Sequence, residues 1–252
     1  MQQFLPASDL NLLVYLLVVF IISGVIKGFL GIGMPTAAMG FLTLVFDPIE
    51  AIALLIIPIV ITNFLQFKNS KYRYETMINY WVLAMSLVIS ALLTSLFITK
   101  ISTSFLTLSI GIAMLIMSLN EFFGFSVRIS GSAKIQFIVG ALSGFLGGMS
   151  SIFSPLVTMF LIAKGVDKER FISATGFLFL LGGLFLLFGL VINKVLEYYL
   201  TLKSVYGLIF ILFGFKLGEL FRKKINSIFF QKAILIMFGM MGVRLIVNSA
   251  YL

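Results

Sequence analysis

Long apolar runs separated by short polar punctuation fill this chain. A bilayer's hydrocarbon core takes about 20 helical residues to cross. Runs of about that length occur at residues 10–30, 48–67, 78–99, 103–121, 168–193, 198–221 and 227–249. Shorter runs occur at 35–46, 134–147 and 152–164, too short to span unaided. The pattern predicts an all-α polytopic membrane protein. The run from Leu10 is longer than a signal-peptide core, and Met1–Asp9 carries no Lys or Arg, so residues 10–30 read as a retained helix. Asp47-Pro48 and Asp167 stand where a new helix starts, and acidic N-caps suit those positions.

Two interruptions look alike. Gly28-Phe29-Leu30-Gly31-Ile32-Gly33-Met34-Pro35-Thr36 breaks the first run, and Gly144-Phe145-Leu146-Gly147-Gly148-Met149-Ser150-Ser151, followed by Pro155, breaks a later one. At a fixed offset of 116 residues, Gly24, Gly28, Phe29, Leu30 and Gly31 match Gly140, Gly144, Phe145, Leu146 and Gly147. The chain therefore divides into a first repeat, 1–122, a connecting loop, 123–133, and a second repeat, 134–252. Each repeat holds a broken pair followed by three full spans, giving eight to ten segments in all. Gly24-xxx-Gly28 and Gly140-xxx-Gly144 also fit close helix packing. Packing alone does not call for a proline after glycine twice. Paired interruptions in corresponding positions of two halves point to a transporter's binding site.

The charge pattern decides how the broken pairs run. Cytoplasmic loops of membrane proteins carry the excess of Lys and Arg. If each pair crossed the membrane once, the two faces would hold 9 and 8 basic loop residues. If each pair turns back to its starting side, they hold 4 and 13, with Lys27 set aside as intramembrane. The second arrangement places both termini outside the cell membrane, the inner membrane of a two-membrane cell. It also makes the halves inverted repeats, with a site near the midplane.

Composition narrows the function. The chain has 252 residues, 61% hydrophobic and 11% charged, with no Cys and no His. Disulfides, thiol chemistry and histidine-based metal or proton relays are excluded. The net charge of +9 sits in short loops and orients helices rather than binding nucleic acid. No cofactor is called for.

The breaks supply anion chemistry. Helix N-termini carry unpaired N–H groups and partial positive charge. Gly31, Gly33, Gly147 and Gly148 would let a ligand approach the backbone. Pro35 suits a first helical turn. Thr36, Ser150, Ser151 and Ser154 offer hydroxyls, although each could instead bond to its own helix. Lys27 lies one turn before the first break and could counter a ligand's charge or snorkel to the surface. Asn63 follows Pro58 and is a further candidate. Thr62 and Gln66 read more simply as helix–helix contacts. Asp47, Glu50, Asp167 and Glu169 fall at helix starts, and Glu75, Glu121, Glu197 and Glu219 in or beside loops, so no carboxylate reads as a mid-span proton carrier. A coupling Na+ or H+ is needed for concentrative import of an anion. Export can run on the membrane potential alone, at about 2.3 kcal/mol per charge per 100 mV.

The stretches GFLGIGMPTAAMGFL with AIALLIIPIVITNFLQF, and GALSGFLGGMSSIFSPLVTMFL with KGVDKERFISATGF, resemble the two copies of the sulfite-exporter (TauE/SafE) family, also called the toluene-sulfonate-uptake permease type. That family usually shows three clustered glycines at the break. Here Met34 follows Gly33, and Ser150 and Ser151 stand in the second copy. The resemblance implies transport of a small sulfur-containing anion such as sulfite, a sulfonate or sulfoacetate. A carboxylate carrier or channel is the nearest alternative. A membrane enzyme finds no His, Cys or paired acids within the spans. A non-transporting scaffold would show an unbroken first and sixth element.

Overall fold

The computed structural model describes residues 9–124, 130–222 and 227–252. Eleven α-helices form it: α1 Asp9–Leu30, α2 Met34–Leu42, α3 Pro48–Lys68, α4 Arg73–Asn79, α5 Trp81–Leu96, α6 Thr103–Phe123, α7 Ala133–Ser150, α8 Ser154–Ala163, α9 Lys168–Ile192, α10 Tyr198–Arg222 and α11 Ser227–Ser249. A single 3₁₀ turn, Ile98–Lys100, follows α5. Among the described residues there is no strand. Six helices, α1, α3, α6, α9, α10 and α11, are long and apolar enough to cross a membrane. Taken together as one span, the pair α4–α5, bent by 74°, brings the number to seven. The expected run 78–99 thus contracts to α5 and the turn after it, with a short surface helix before it. The connecting segment 125–129 lies outside the described residues.

Both breaks reverse the chain. Tyr15 Oη donates to the Phe41 carbonyl at 2.6 Å. Tyr15 precedes the end of α1 by about 22 Å of helix, so the bond forms only because α2 runs back beside α1. In the second pair the Lys164 stem, just past α8, packs on Gly131, just before α7. The Lys164 ammonium also sits 4.7 Å from the Tyr80 ring centroid. At 9 and 10 residues, α2 and α8 reach about 15 Å, half the hydrocarbon core.

The loops sort onto two faces. Thr99 Oγ1 donates to Asn193 Oδ1 at 3.0 Å, and Ser104 Oγ donates to the Ser249 carbonyl at 2.5 Å. These bonds gather the ends of α5 and α9, the start of α6 and the end of α11 at one face. Arg170 binds Glu75 at 2.7 Å and stacks over the Tyr72 ring at 4.6 Å, joining loops 68–75 and 164–170 at the other. That grouping is the one in which basic residues divide 4 to 13. The Asp167 carboxyl accepts from the Glu169 and Arg170 amides, both at 3.1 Å, and Arg170 holds its pKa below the usual value. Asp47 stands at the matching position before α3, in extended conformation, but makes no side-chain cap.

Glycines set the packing. Helix α1 lies against α10, and α7 against α5. A Cβ at Gly24 or Gly28 would fall 2.3 and 2.1 Å from the carbonyl oxygens of Ile211 and Phe215. One at Gly140 or Gly144 would fall 2.4 and 2.2 Å from those of Leu83 and Leu87. The helix before each break therefore packs on a helix distant in sequence, α1 on α10 and α7 on α5. Helices α3 and α9 run antiparallel: Gly176 meets Phe67 while Gly183 meets Val60. Helices α6 and α11 do likewise, with Gly111 on Gly242 and Ser118 Oγ on the Leu235 carbonyl.

Gly28→Ala and Gly144→Ala each push a methyl into a facing carbonyl and cost about 1–3 kcal/mol of stability. Thermal unfolding in detergent checks this, with Gly31→Ala as the control. Gly31 faces open space, and the cost there is the backbone conformation alone.

Candidate functional site

The two breaks meet. Gly31 and Gly33 carry φ of 85° and 89°, conformations glycine adopts freely, and they turn the chain between α1 and α2. In the second break Ser151 takes φ 60° immediately after α7. Helix α7 thus runs one turn further than the glycine match implies, and Gly147 and Gly148 are helical. Gly147 abuts the Phe153 ring, and Gly148 packs on Ala91 and Thr94 of α5. Neither reaches the space between the breaks. Ser150 is occupied as well: its hydroxyl donates to the Leu146 carbonyl at 2.6 Å and accepts from the Ile152 amide at 3.1 Å.

What remains converges on a cavity of about 20 Å³. Lys27, Gly31, Gly33 and Pro35 line it from the first break, Ser151 and Ser154 from the second, and Asn63 from α3. Ile32, Met34, Ile59, Gln66, Phe153 and Phe179 complete the wall. The N-termini of α2 and α8 both open onto it, and proline occupies one of the first two positions of each. The Thr36 and Ser154 hydroxyls both donate to one atom, Met117 Sδ on α6, at 3.1 and 3.2 Å. Thr36 therefore sits behind the cavity wall, tied to the same methionine as Ser154. The Ser151 hydroxyl is fully buried and has no partner.

Lys27 has a defined seat. The Thr62 hydroxyl donates to the Pro58 carbonyl at 2.7 Å, which leaves its oxygen free to accept. The Asn63 amide nitrogen donates to the Ile59 carbonyl at 2.8 Å, which turns its oxygen the other way. Lys27 Nζ donates to both oxygens, at 2.9 and 3.0 Å. It is 4% exposed, and among the described residues no carboxylate lies within ion-pair distance. Held by two neutral acceptors, the Lys27 amino group keeps a further N–H donor for a ligand. Thr62, read from sequence as a helix contact, is part of this seat. Gln66 does bridge helices, donating to the Ile172 carbonyl at 2.8 Å and to Thr175 at 3.0 Å on α9. It lines the cavity at the same time.

A second, larger cavity of about 460 Å³ leads to the same lysine. It is walled by Asn69, Ser70, Lys71 and Tyr72 after α3, by Glu169 on α9 and by Glu219 on α10. Lys27, Gly31 and Gln66 border both spaces. The vestibule opens at the face of loops 68–75 and 164–170 and stops at the breaks. On the far side the Phe153 ring is wedged by Gly147 and Gly182 and lies 6.5 Å from Phe179. No sequence signal marked Phe153, Phe179 or Met117, because a single aromatic or methionine in an apolar run is indistinguishable from core filling.

A family model described as sulfite exporter TauE/SafE matches residues 15–245. No curated protein and no solved structure matches the chain. With nearly its whole length matched, from the second turn of α1 to the last turns of α11, the chain belongs to the sulfite exporter TauE/SafE family of membrane transporters.

Proposed function

We propose that the protein is a secondary transporter that carries a small organosulfur anion, such as sulfite or a short sulfonate, across the cell membrane. The site would lie where the two breaks meet, between inverted repeats. One observation carries the reading: a buried lysine without a carboxylate partner stands at the junction of an open vestibule and two inward-facing helix N-termini.

The chemistry follows from the groups present. The Lys27 ammonium attracts the anion from the vestibule, whose wall carries Lys71 alongside Glu169 and Glu219. The unpartnered Ser151 hydroxyl donates to one oxygen. Ser154 exchanges a weak sulfur acceptor for a charged oxygen, a stronger bond. The free amides at the starts of α2 and α8 supply partial positive charge. A cavity of about 20 Å³ holds little more than one water. A four-atom anion such as sulfite therefore requires the broken elements to separate, and that separation would be the transport step. Opposed orientation of the halves is supported by the antiparallel α3–α9 and α6–α11 pairs. The family match supports the sulfur.

In proteoliposomes, sulfite, thiosulfate or a C2 sulfonate should move faster than the matched carboxylate by about tenfold or more. Equal rates for acetate would make it a general carboxylate carrier. Lys27→Gln should abolish flux while the protein still folds. Ser151→Ala breaks no bond within the protein, so its melting temperature should hold while flux falls about tenfold. Ser150→Ala should do the opposite, losing two bonds and melting earlier with its site hydroxyls intact. The chain has no native cysteine, so single cysteines report sidedness cleanly. Thr103→Cys should react with an impermeant maleimide from outside intact cells, and Asn69→Cys only after lysis.

A further inference from the structure

One cluster of buried polar groups is not used by the anion site. It lies on the next turn of α6 and α8. Asn120 and Glu121 follow Met117 by three and four residues, and Thr158 follows Ser154 by four, so both helices present the same stripe one turn, about 6 Å, closer to the basic face. Met117 and Ser154 make the upper rung of that contact. Glu121 and Thr158 make the lower one, with the hydroxyl beside the carboxyl. Asn120 is 4% exposed, and neither atom of its amide has a partner. One Glu121 oxygen is also buried and unpartnered. Glu121, which reads from sequence as a loop-edge acid, is thus inside the helix and turned into the protein.

The surroundings leave that carboxyl uncompensated. Helices α2 and α8 carry no titratable side chain. On α7 the sole charged residue, Lys134, is exposed at its first turn. On α3 the charged residues, Glu50 and Lys68, lie in the first and last turns. On α11 Lys232 sits over the neighbouring Phe122 ring at 5.7 Å, and Arg244 lies about three turns further along the helix. Among the described residues no Lys or Arg is within ion-pair distance of Glu121.

We propose that Glu121, with Asn120 and Thr158, forms a site for one monovalent cation, a proton or Na+, coupled to the anion site one helical turn away. Carboxyl, amide and hydroxyl oxygens are the ligands a hard cation takes. Coupling follows from charge. An ionised Glu121 about 6 Å from a bound monoanion weakens it roughly a hundredfold at an effective dielectric of about 20. Neutralising the carboxyl removes that repulsion, so cation and anion bind together and the cation gradient drives the anion. This rests on the anion-transport reading above.

Two measurements test it. In the first, the purified full-length protein is unfolded thermally in detergent without substrate, beside Glu121→Gln, a neutral near-isostere that keeps the fold. If Na+ is the ion, exchanging choline chloride for NaCl at constant ionic strength raises the wild-type midpoint and leaves Glu121→Gln unmoved. If the proton is the ion, acidification from about pH 8 to about pH 6 stabilises wild type relative to Glu121→Gln. In the second, sulfite uptake is followed in proteoliposomes with the potential clamped by K+ and valinomycin. An inward gradient of the same ion accelerates wild-type uptake about tenfold, and Glu121→Gln loses that response yet retains sulfite counterflow. Wild type that responds to neither ion in unfolding, or a response that survives in Glu121→Gln, overturns the site. An intact ion-dependent shift with no sulfite movement in wild type leaves the cation site standing and counts against the transport reading instead.

Discussion

A polypeptide that stops being helical inside a bilayer has to find new partners for its amides, because hydrocarbon offers none. The rest of this structure depends on that constraint. Two chain reversals are buried where only protein touches them. Positive-φ turns at Gly31 and Gly33, and at Ser151, bring α2 and α8 back beside the helices they follow. The amides released at the two new N-termini face one another across a small polar space and not the lipid. Lys27, Asn63, Ser151 and Met117 are the groups that make the space tolerable. In the proposed function, the Lys27 amino group and the Ser151 hydroxyl among them are also what draws the anion.

Such a centre needs close helices around it. The glycines at 24 and 28, and at 140 and 144, bring backbone against backbone, carbonyl oxygen where a Cβ would otherwise be. The result is an exchange: α1 belongs spatially with α10, and α7 with α5. The short helices α2 and α8 are enclosed by this frame without being part of it. They meet the core mainly through small or adaptable contacts, including the shared sulfur of Met117. A rigid frame around two short, buried elements is a sensible division of labour for the opening of the centre proposed above.

Much of this was legible in the sequence, and the failures are instructive. Run lengths and the glycine–proline interruptions marked ten of the eleven helices and both reversals, because membrane thickness and missing amide hydrogens are strong constraints. Lys27 and Asn63 stood out as polar residues in apolar helices. The second break was misplaced by one turn. The offset of 116 aligned Gly147 with Gly31, yet Gly147 and Gly148 make room for Phe153 and α5, and the turn falls at Ser151, a residue type that seldom adopts that conformation. Four candidates, Gly147, Gly148, Ser150 and Thr36, therefore stand behind the cavity wall. Glu121 was misjudged for a different reason. Distance from a helix end says little about burial when a neighbouring half-helix covers that end.

The exchange of helices between halves bears on how the molecule is made. Helix α1, complete by residue 30, does not meet its partner until α10 is synthesised from residue 198 onward. For most of translation its glycine-lined face has no protein against it. A ribosome releasing this chain before α10 would leave that groove of bare backbone in the membrane. Biogenesis must either hold α1 near the insertion machinery or tolerate its wandering in lipid, and a truncated product should be an immediate target for membrane quality control.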